Sequence, residues 1–455
     1  PPTPAPSPPT LMERALQRHR PVRLRLLRWL TPLTVFAALL FVFSLVNRSD
    51  DAADAPAAAD VSSAGTGGDT EALVAELQTA VAADPANAAN SAALGNAFYQ
   101  RARETGDAAF YSLAEGAFAK SLASDSEQVT AITGQATLAL ARHDFAAALE
   151  LAERARAIEP DLLAPYPALV DAQIELGRYE QGAATLDRLI SLKPTLASYS
   201  RVSYFRELNG DLPGALEAMR LAVSAASGSG ENAAYVQALL GKLQSDLGNY
   251  GGAERSYRLA LAADRSYLPA LAGLASVEAG RGDFEPAIRR LEQVVEALPL
   301  PQYAIALGEA QEAAGQLAAA RDSYGLVEIQ TKLQEANGIN TDVELAIFEA
   351  DHGSSAKAVE LARDAWRSAP SVRSADALSW ALSAAGDDSA ASRFSAEAMK
   401  LDSRDPTFLY HAGMIAQADG RTADANRHLG VLVEQSPSFN PLYGPRAEQA
   451  LEDLR

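Results

Sequence analysis

The chain contains no cysteine. That excludes a disulfide framework, a zinc–thiolate site, a cysteine nucleophile and a lipid-bearing cysteine. Aromatic residues are sparse, at 7% of 455 residues, while alanine is abundant. Such a composition suits close-packed helices better than strands. Beyond the N-terminus acidic residues outnumber basic ones. The formal net charge of −19 divides into +6 on residues 1–48, with seven arginines and Glu13, and −25 on the remainder. An acidic body of this size argues against nucleic-acid binding, which needs cations to displace counterions. It also repels acidic peptides and anionic headgroups.

Catalytic motifs are missing as well. There is no Gly-x-Ser-x-Gly elbow, no phosphate-binding Gly-x-x-x-x-Gly-Lys-Ser/Thr loop and no His-Glu-x-x-His. Of the five histidines, His19 lies in the basic head and His143 and His352 fall at expected turns, where a solvated polar residue is the expectation. His411 and His428 sit on separate helices without further ligands at metal spacing. The sequence therefore predicts no enzyme, no metal and no cofactor.

What is present begins with residues 29–46, WLTPLTVFAALLFVFSLV, without a charge. As a helix they span roughly 27 Å, close to the ~30 Å hydrocarbon core. Arginines crowd the upstream side, and Asp50, Asp51 and Asp54 follow. The positive-inside rule predicts a single-pass anchor with a cytoplasmic N-terminus and an extracytoplasmic body. The competing readings are a cleaved signal peptide, whose small-residue sites lie well past the apolar run, and an ordinary buried helix. Met12 is the first methionine, and residues 1–11 read as a tail. Residues 1–28 form the basic head, and 47–69, rich in Asp, Ala, Ser and Gly, read as a flexible linker.

Beyond residue 70 a period near 34 appears. Leu240-Gly241, Gly248, Tyr250, Ala253, Tyr257 and Ala260 form one unit. Leu274-Ala275, Gly282, Phe284, Ala287, Leu291 and Pro299 form the next, and Leu307-Gly308, Gly315, Leu317, Ala320 and Tyr324 a third. Turn glycines recur at Gly177, Gly210, Gly248, Gly282, Gly315, Gly353, Gly386 and Gly420, where a left-handed C-cap suits glycine best. Closing prolines recur at Pro85, Pro160, Pro194, Pro299, Pro370 and Pro437.

This pattern resembles the tetratricopeptide repeat family. The resemblance implies an all-α superhelical solenoid over residues 70–455. It comprises about ten helix pairs between 88 and 437, a lone helix before them at Glu71–Ala83 and a capping helix after them. Three places break the period: about seven extra residues around Arg103–Phe110, Gly228-Ser229-Gly230, and residues 329–339. The tryptophan usual at the fourth position of the family's repeat is absent from the units, where Tyr166 and Tyr199 stand in two of them, which predicts looser packing there. The segment Ala375–Leu454 also resembles the closing module of exported bacterial repeat proteins.

In the family the first helix of each pair lines the concave face. By that correspondence the groove positions are Arg201, Tyr204, Glu207, Tyr235, Lys242, Asp246, Asn340, Val343, Ile347 and Asp351. In the last third they are Arg373, Asp376, Trp380, Tyr410, His411, Met414 and Gln417. Trp, Tyr and Arg dominate binding hot spots, so this last stretch is the expected partner groove. Trp380, Tyr410 and Met414 form an apolar pocket there, or else pack between neighbouring helices. The function this implies is a membrane-tethered scaffold that recruits an envelope protein. The alternatives are a small-molecule or glycan-binding solenoid and an accessory subunit of an envelope enzyme or transporter.

Overall fold

A computed structural model describes residues 67–455 apart from 227 and 229. The basic head, the expected anchor at 29–46 and most of the expected linker lie outside the described residues. Among the described residues no helix is long and apolar enough to cross a membrane. The first helix, α1 (Gly67–Ala83), begins inside the segment read as linker.

Ten antiparallel pairs follow. They are α2/α3 (Ala88–Thr105, Ala109–Ser124), α4/α5 (Val129–Ala141, Phe145–Ile158), α6/α7 (Pro165–Glu175, Tyr179–Leu192), α8/α9 (Leu196–Leu208, Leu212–Ala225) and α10/α11 (Glu231–Asp246, Tyr250–Ala263). Then come α12/α13 (Leu268–Gly280, Phe284–Ala297), α14/α15 (Pro301–Ala313, Leu317–Ala336), α16/α17 (Asp342–His352, Ser355–Ser368), α18/α19 (Val372–Ala384, Asp388–Ala398) and α20/α21 (Pro406–Ala418, Thr422–Gln435). Helix α22 (Tyr443–Asp453) closes the stack.

The turn within most pairs has one local cause. A residue in the left-handed region ends the first helix, and after His143, Gly210, Gly248 and Gly386 the side chain of the next residue caps the second. Gly210 (φ 70) is followed by Asp211, whose carboxylate accepts from Gly214 N at 3.0 Å. Asn249 and Asp387 cap in the same way after Gly248 and Gly386. Two turns depart from expectation. His143 takes the left-handed position itself, at φ 61, and Gly353 does not, at φ −129.

Packing is tight at the small residues of the first helices. The Phe118 ring is fully buried against Gly95 and Gly134, where an added Cβ would stand 2.4 and 2.3 Å from it. Tyr257 sits in the same way between Gly241 and Gly273. Glycine on consecutive first helices makes room for one ring from the second helix between them. The join at 337–341 is carried by a small cluster of Ala304, Val327, Leu345 and Phe348.

The superhelix is wound so closely that successive turns touch. Tyr179 Oη accepts from Val372 N at 2.7 Å across 193 residues. Tyr250 Oη lies 3.1 Å from Ser436 Oγ across 186. Gln435 Nε2 donates to Asp246 O at 2.8 Å. The turn glycines form the seam. A Cβ at Gly177, Gly210 or Gly248 would lie 2.3 Å from the carbonyl oxygen of Pro370, Asp402 or Gln435 respectively. Glycine is thus needed there twice, for its backbone angle and for the approach of the next turn.

Candidate functional site

Two of the three breaks in the period, far apart in sequence, line one cavity of about 860 Å³, and the residue after the other break, Glu231, joins its wall. Insertions in repeat proteins map to loops on one face, often the binding face. The first break, after α2, turns at Gly106 (φ 69), and Asp107 caps α3 by accepting from Ala109 N at 2.9 Å. Gly106 nestles against Leu298, another lining residue. The second break ends at Gly230, whose N–H donates to Ala263 O at 3.1 Å and sets Glu231 in the wall. The third extends α15 to 20 residues, and its extra turns supply Gln330, Thr331, Leu333 and Gln334. Beyond it Asn340 N donates to Arg142 O at 3.0 Å, tying this break to the turn of α4/α5.

The wall combines rings and ion pairs. Tyr99 stacks on Tyr111 at 6.1 Å. Arg103 bridges to Glu231, a contact between the first pair and the fifth. Burial opposes the charge on Arg103, but the Glu231 carboxylate and Tyr99 more than offset it and raise its pKa. Arg101 pairs with Glu104 at 3.1 Å, and Glu104 also accepts from Thr70 Oγ1 at 2.7 Å. Burial pushes the Tyr99 and Tyr267 hydroxyls well up, so they remain neutral donors. The size fits the 300–1,000 Å³ typical of ligand pockets. Leu333 at 59% and Ile329 at 66% exposure leave apolar surface on α15 beside it.

The strip expected as the groove is occupied largely by its own contacts. Arg373 faces Glu175 at 3.8 Å and Glu344 at 3.9 Å. Asp376, 2% exposed, holds His411 Nδ1 at 2.9 Å. Burial opposes the charged imidazole of His411, but Asp376 and then Asp351 outweigh it and raise its pKa. Trp380 Nε1 donates to Asp351 Oδ1 at 2.8 Å, and its ring stacks on His411 at 4.3 Å. Tyr410, 3% exposed, packs against Phe439 and Tyr443. Met414 joins the same cluster at partial burial, and Gln417 is half-buried. Trp380, Tyr410 and Met414 do converge, as packing between α18, α20 and the terminal helix.

Further inner positions behave alike. Arg201, 5% exposed, grips Asp171 with two bonds of 2.8 and 2.6 Å. Tyr204 Oη donates to Glu175 at 2.8 Å, and Lys242 bridges Asp246 and Glu207. Only Tyr235 of that earlier set reaches the cavity.

Neither turn histidine is a free surface residue. His143 is half-buried and stacks on Phe145. His352 stacks on Tyr324 at 4.2 Å and meets Tyr443 Oη at 3.2 Å. His428 is half-buried beside Arg427. Among the described residues no group of three or more histidine or acidic side chains is arranged to hold a metal.

No curated protein matches the chain. Solved structures with some likeness include a human IFIT1 dimer with PPP-AAAA, at 16% identity and TM-score 0.46, covering 69% of this chain and 73% of that one. The APC/C hetero-tetramer Cut9-Hcn1 gives 12% identity and TM-score 0.36, with 85% and 93% coverage. The structure of MamA gives 14% and 0.29, with 36% and 93% coverage. Scores at this level say nothing of what this chain binds. The family signal runs from the end of α4 into α8, where residues 139–202 match the tetratricopeptide repeat family.

Proposed function

We propose that the protein is a non-enzymatic scaffold that holds a short segment of a partner protein in the cavity between its superhelical turns. The supporting observation is that two of the three breaks in an otherwise regular array line that cavity and the third adjoins it through Glu231. The membrane anchor at 29–46 completes the reading. It places the repeats outside the cytoplasm and confines recruitment to an envelope partner. Tethering raises the effective concentration of that partner without any new contact.

The strip from Arg373 to Gln417 is a second contact surface in this reading, through the half-buried edges of Trp380, Met414 and Gln417. The test is crosslinking in intact membranes, affinity capture and mass spectrometry on the wild type, an Ala109→Trp variant and a Trp380→Ala variant. Ala109 is exposed and lines the cavity, so tryptophan there obstructs it without touching the core. One dominant envelope protein, lost with Ala109→Trp, supports the cavity. Loss with Trp380→Ala alone moves the site to the strip. No recurrent protein in any sample overturns the scaffold.

A further inference from the structure

Leu113, Leu221 and Leu259 are exposed singly on α3, α9 and α11, as surface leucines often are. Helix α15 is different. Leu326, Ile329 and Leu333 are 38%, 66% and 59% exposed and lie within about two turns of one another. With Asp322 and Ala336, also exposed, they form a row whose spacing alternates between four and three residues. That spacing is the narrow seam one helix offers to another. The opposite side of α15 is taken up, because Ser323, Val327, Gln330 and Thr331 are buried against the array.

We propose that this seam pairs with the same seam of a second copy, the two α15 helices running head to tail about a two-fold axis at Ile329. The row reads nearly the same from either end. Turned about Ile329, it sets Leu326 opposite Leu333 of the other copy and Ile329 opposite its own counterpart. Every apolar residue then meets an apolar residue, as an isologous contact requires. The charges agree with that direction. Asp322 continues the row at one end, and exposed Lys332 borders it at the other. Head to tail, each Asp322 comes beside the Lys332 of the other copy, whereas a parallel pair would bring like charges together. Lys332 bonds Glu328 at 2.7 Å within its own helix, an exposed pair weak enough to share the lysine. A seam of three apolar side chains falls short of the roughly 800 Å² that each partner gives to a standard interface, so the pairing is weak and needs concentrated protein. It goes beyond the scaffold reading and stands whether or not the cavity holds a partner.

The chain has no cysteine, so one introduced thiol reports on one position. Purified full chains carry Ile329→Cys or, as the control, Glu285→Cys at an exposed position on α13. They are oxidised at about 100 μM, a concentration suited to a weak contact, in the same mild detergent. Covalent dimers are timed on non-reducing gels. Ile329→Cys should dimerise at least about tenfold faster than the control, since pairing holds the two thiols at a high effective concentration. In a mixture, Leu326→Cys and Leu333→Cys chains should join to each other faster than either joins to itself. Adding Leu333→Glu to Ile329→Cys should slow dimerisation by about tenfold, because it sets a carboxylate in the apolar seam. Circular dichroism checks that this variant is folded, as the exposure of Leu333 leads us to expect. Ile329→Cys no faster than the control leaves the seam to a different occupant and overturns the proposal. So does Leu326→Cys joining to itself faster than to Leu333→Cys, which marks a parallel pair, and so does indifference to Leu333→Glu.

Discussion

Replacing Gly210 with alanine separates the contact between superhelical turns from the ordinary demand of a helix turn. Gly210 has φ 70, and an added Cβ would sit 2.3 Å from Asp402 O. Gly282 has φ 83 and no atom within 4 Å of the same position. Both substitutions carry the left-handed cost of an L-residue, roughly 1–2 kcal/mol. Only Gly210→Ala must also push the next turn away, an overpacking cost of about 1–3 kcal/mol. The expected losses are about 2–5 kcal/mol for Gly210→Ala and about 1–2 kcal/mol for Gly282→Ala. Repeat arrays can unfold in parts, so native-state hydrogen exchange read locally suits the comparison. Protection near residue 402 should fall in Gly210→Ala and persist in Gly282→Ala. Equal losses, with equal protection at 402, would refute the claim that the turns are packed on each other.

Three other outcomes follow from the same contacts. Tyr179→Phe removes the acceptor of the buried Val372 N–H and should cost about 1–3 kcal/mol in chemical denaturation. Asn440 is fully buried, donates to Glu309 Oε2 at 2.8 Å and accepts from Leu442 N and Tyr443 N. Asn440→Ala should therefore lower stability by at least about 2 kcal/mol and free the terminal helix to limited proteolysis. The third outcome concerns pH. Burial raises the carboxyls of Asp171, Glu175, Glu309 and Asp351, despite the neighbours that oppose it. Burial also lifts Asp246 to about 7 against the pull of Lys242. His352 and His411 are raised by their carboxylate partners, against burial. In every case the folded state binds more protons than the unfolded one between the ordinary and the raised pKa. Stability therefore falls as pH rises through that window. His143 and His428, lowered by burial, act in the opposite sense, so the contribution of one site is read by difference: His411→Gln should flatten the fall of the melting temperature with pH above ~6.5.

The helix pairs were legible because their causes are local. A glycine or its substitute, followed in several periods by Asp or Asn, then an apolar stripe recurs along the chain, and the structure returns ten pairs with a helix at each end. The departures at His143 and Gly353 are local too, since backbone angle at a turn is set by more than residue type. Groove positions were not legible in the same way. Which surface of a solenoid stays open depends on a small rotation per unit, summed over many units. Here the sum winds the array tightly enough to bring residue 179 onto 372. Inner side chains such as Arg201 and Tyr204 then find partners on adjacent helices, and Tyr410 packs against the cap. The cavity left its trace in the sequence as breaks in the period, at 103–110 and 329–339. Only the closed superhelix brings Arg103 to Glu231 and both to the end of α15.

The most direct test of the cavity as a capture site is a photoreactive amino acid at Ala109, compared with one at exposed Glu285 on α13, in intact membranes. The account predicts a crosslinked partner from position 109 alone, joined through one short stretch of its chain. Equal yields from both positions, or crosslinks from 109 only to this protein's own residues, would contradict it.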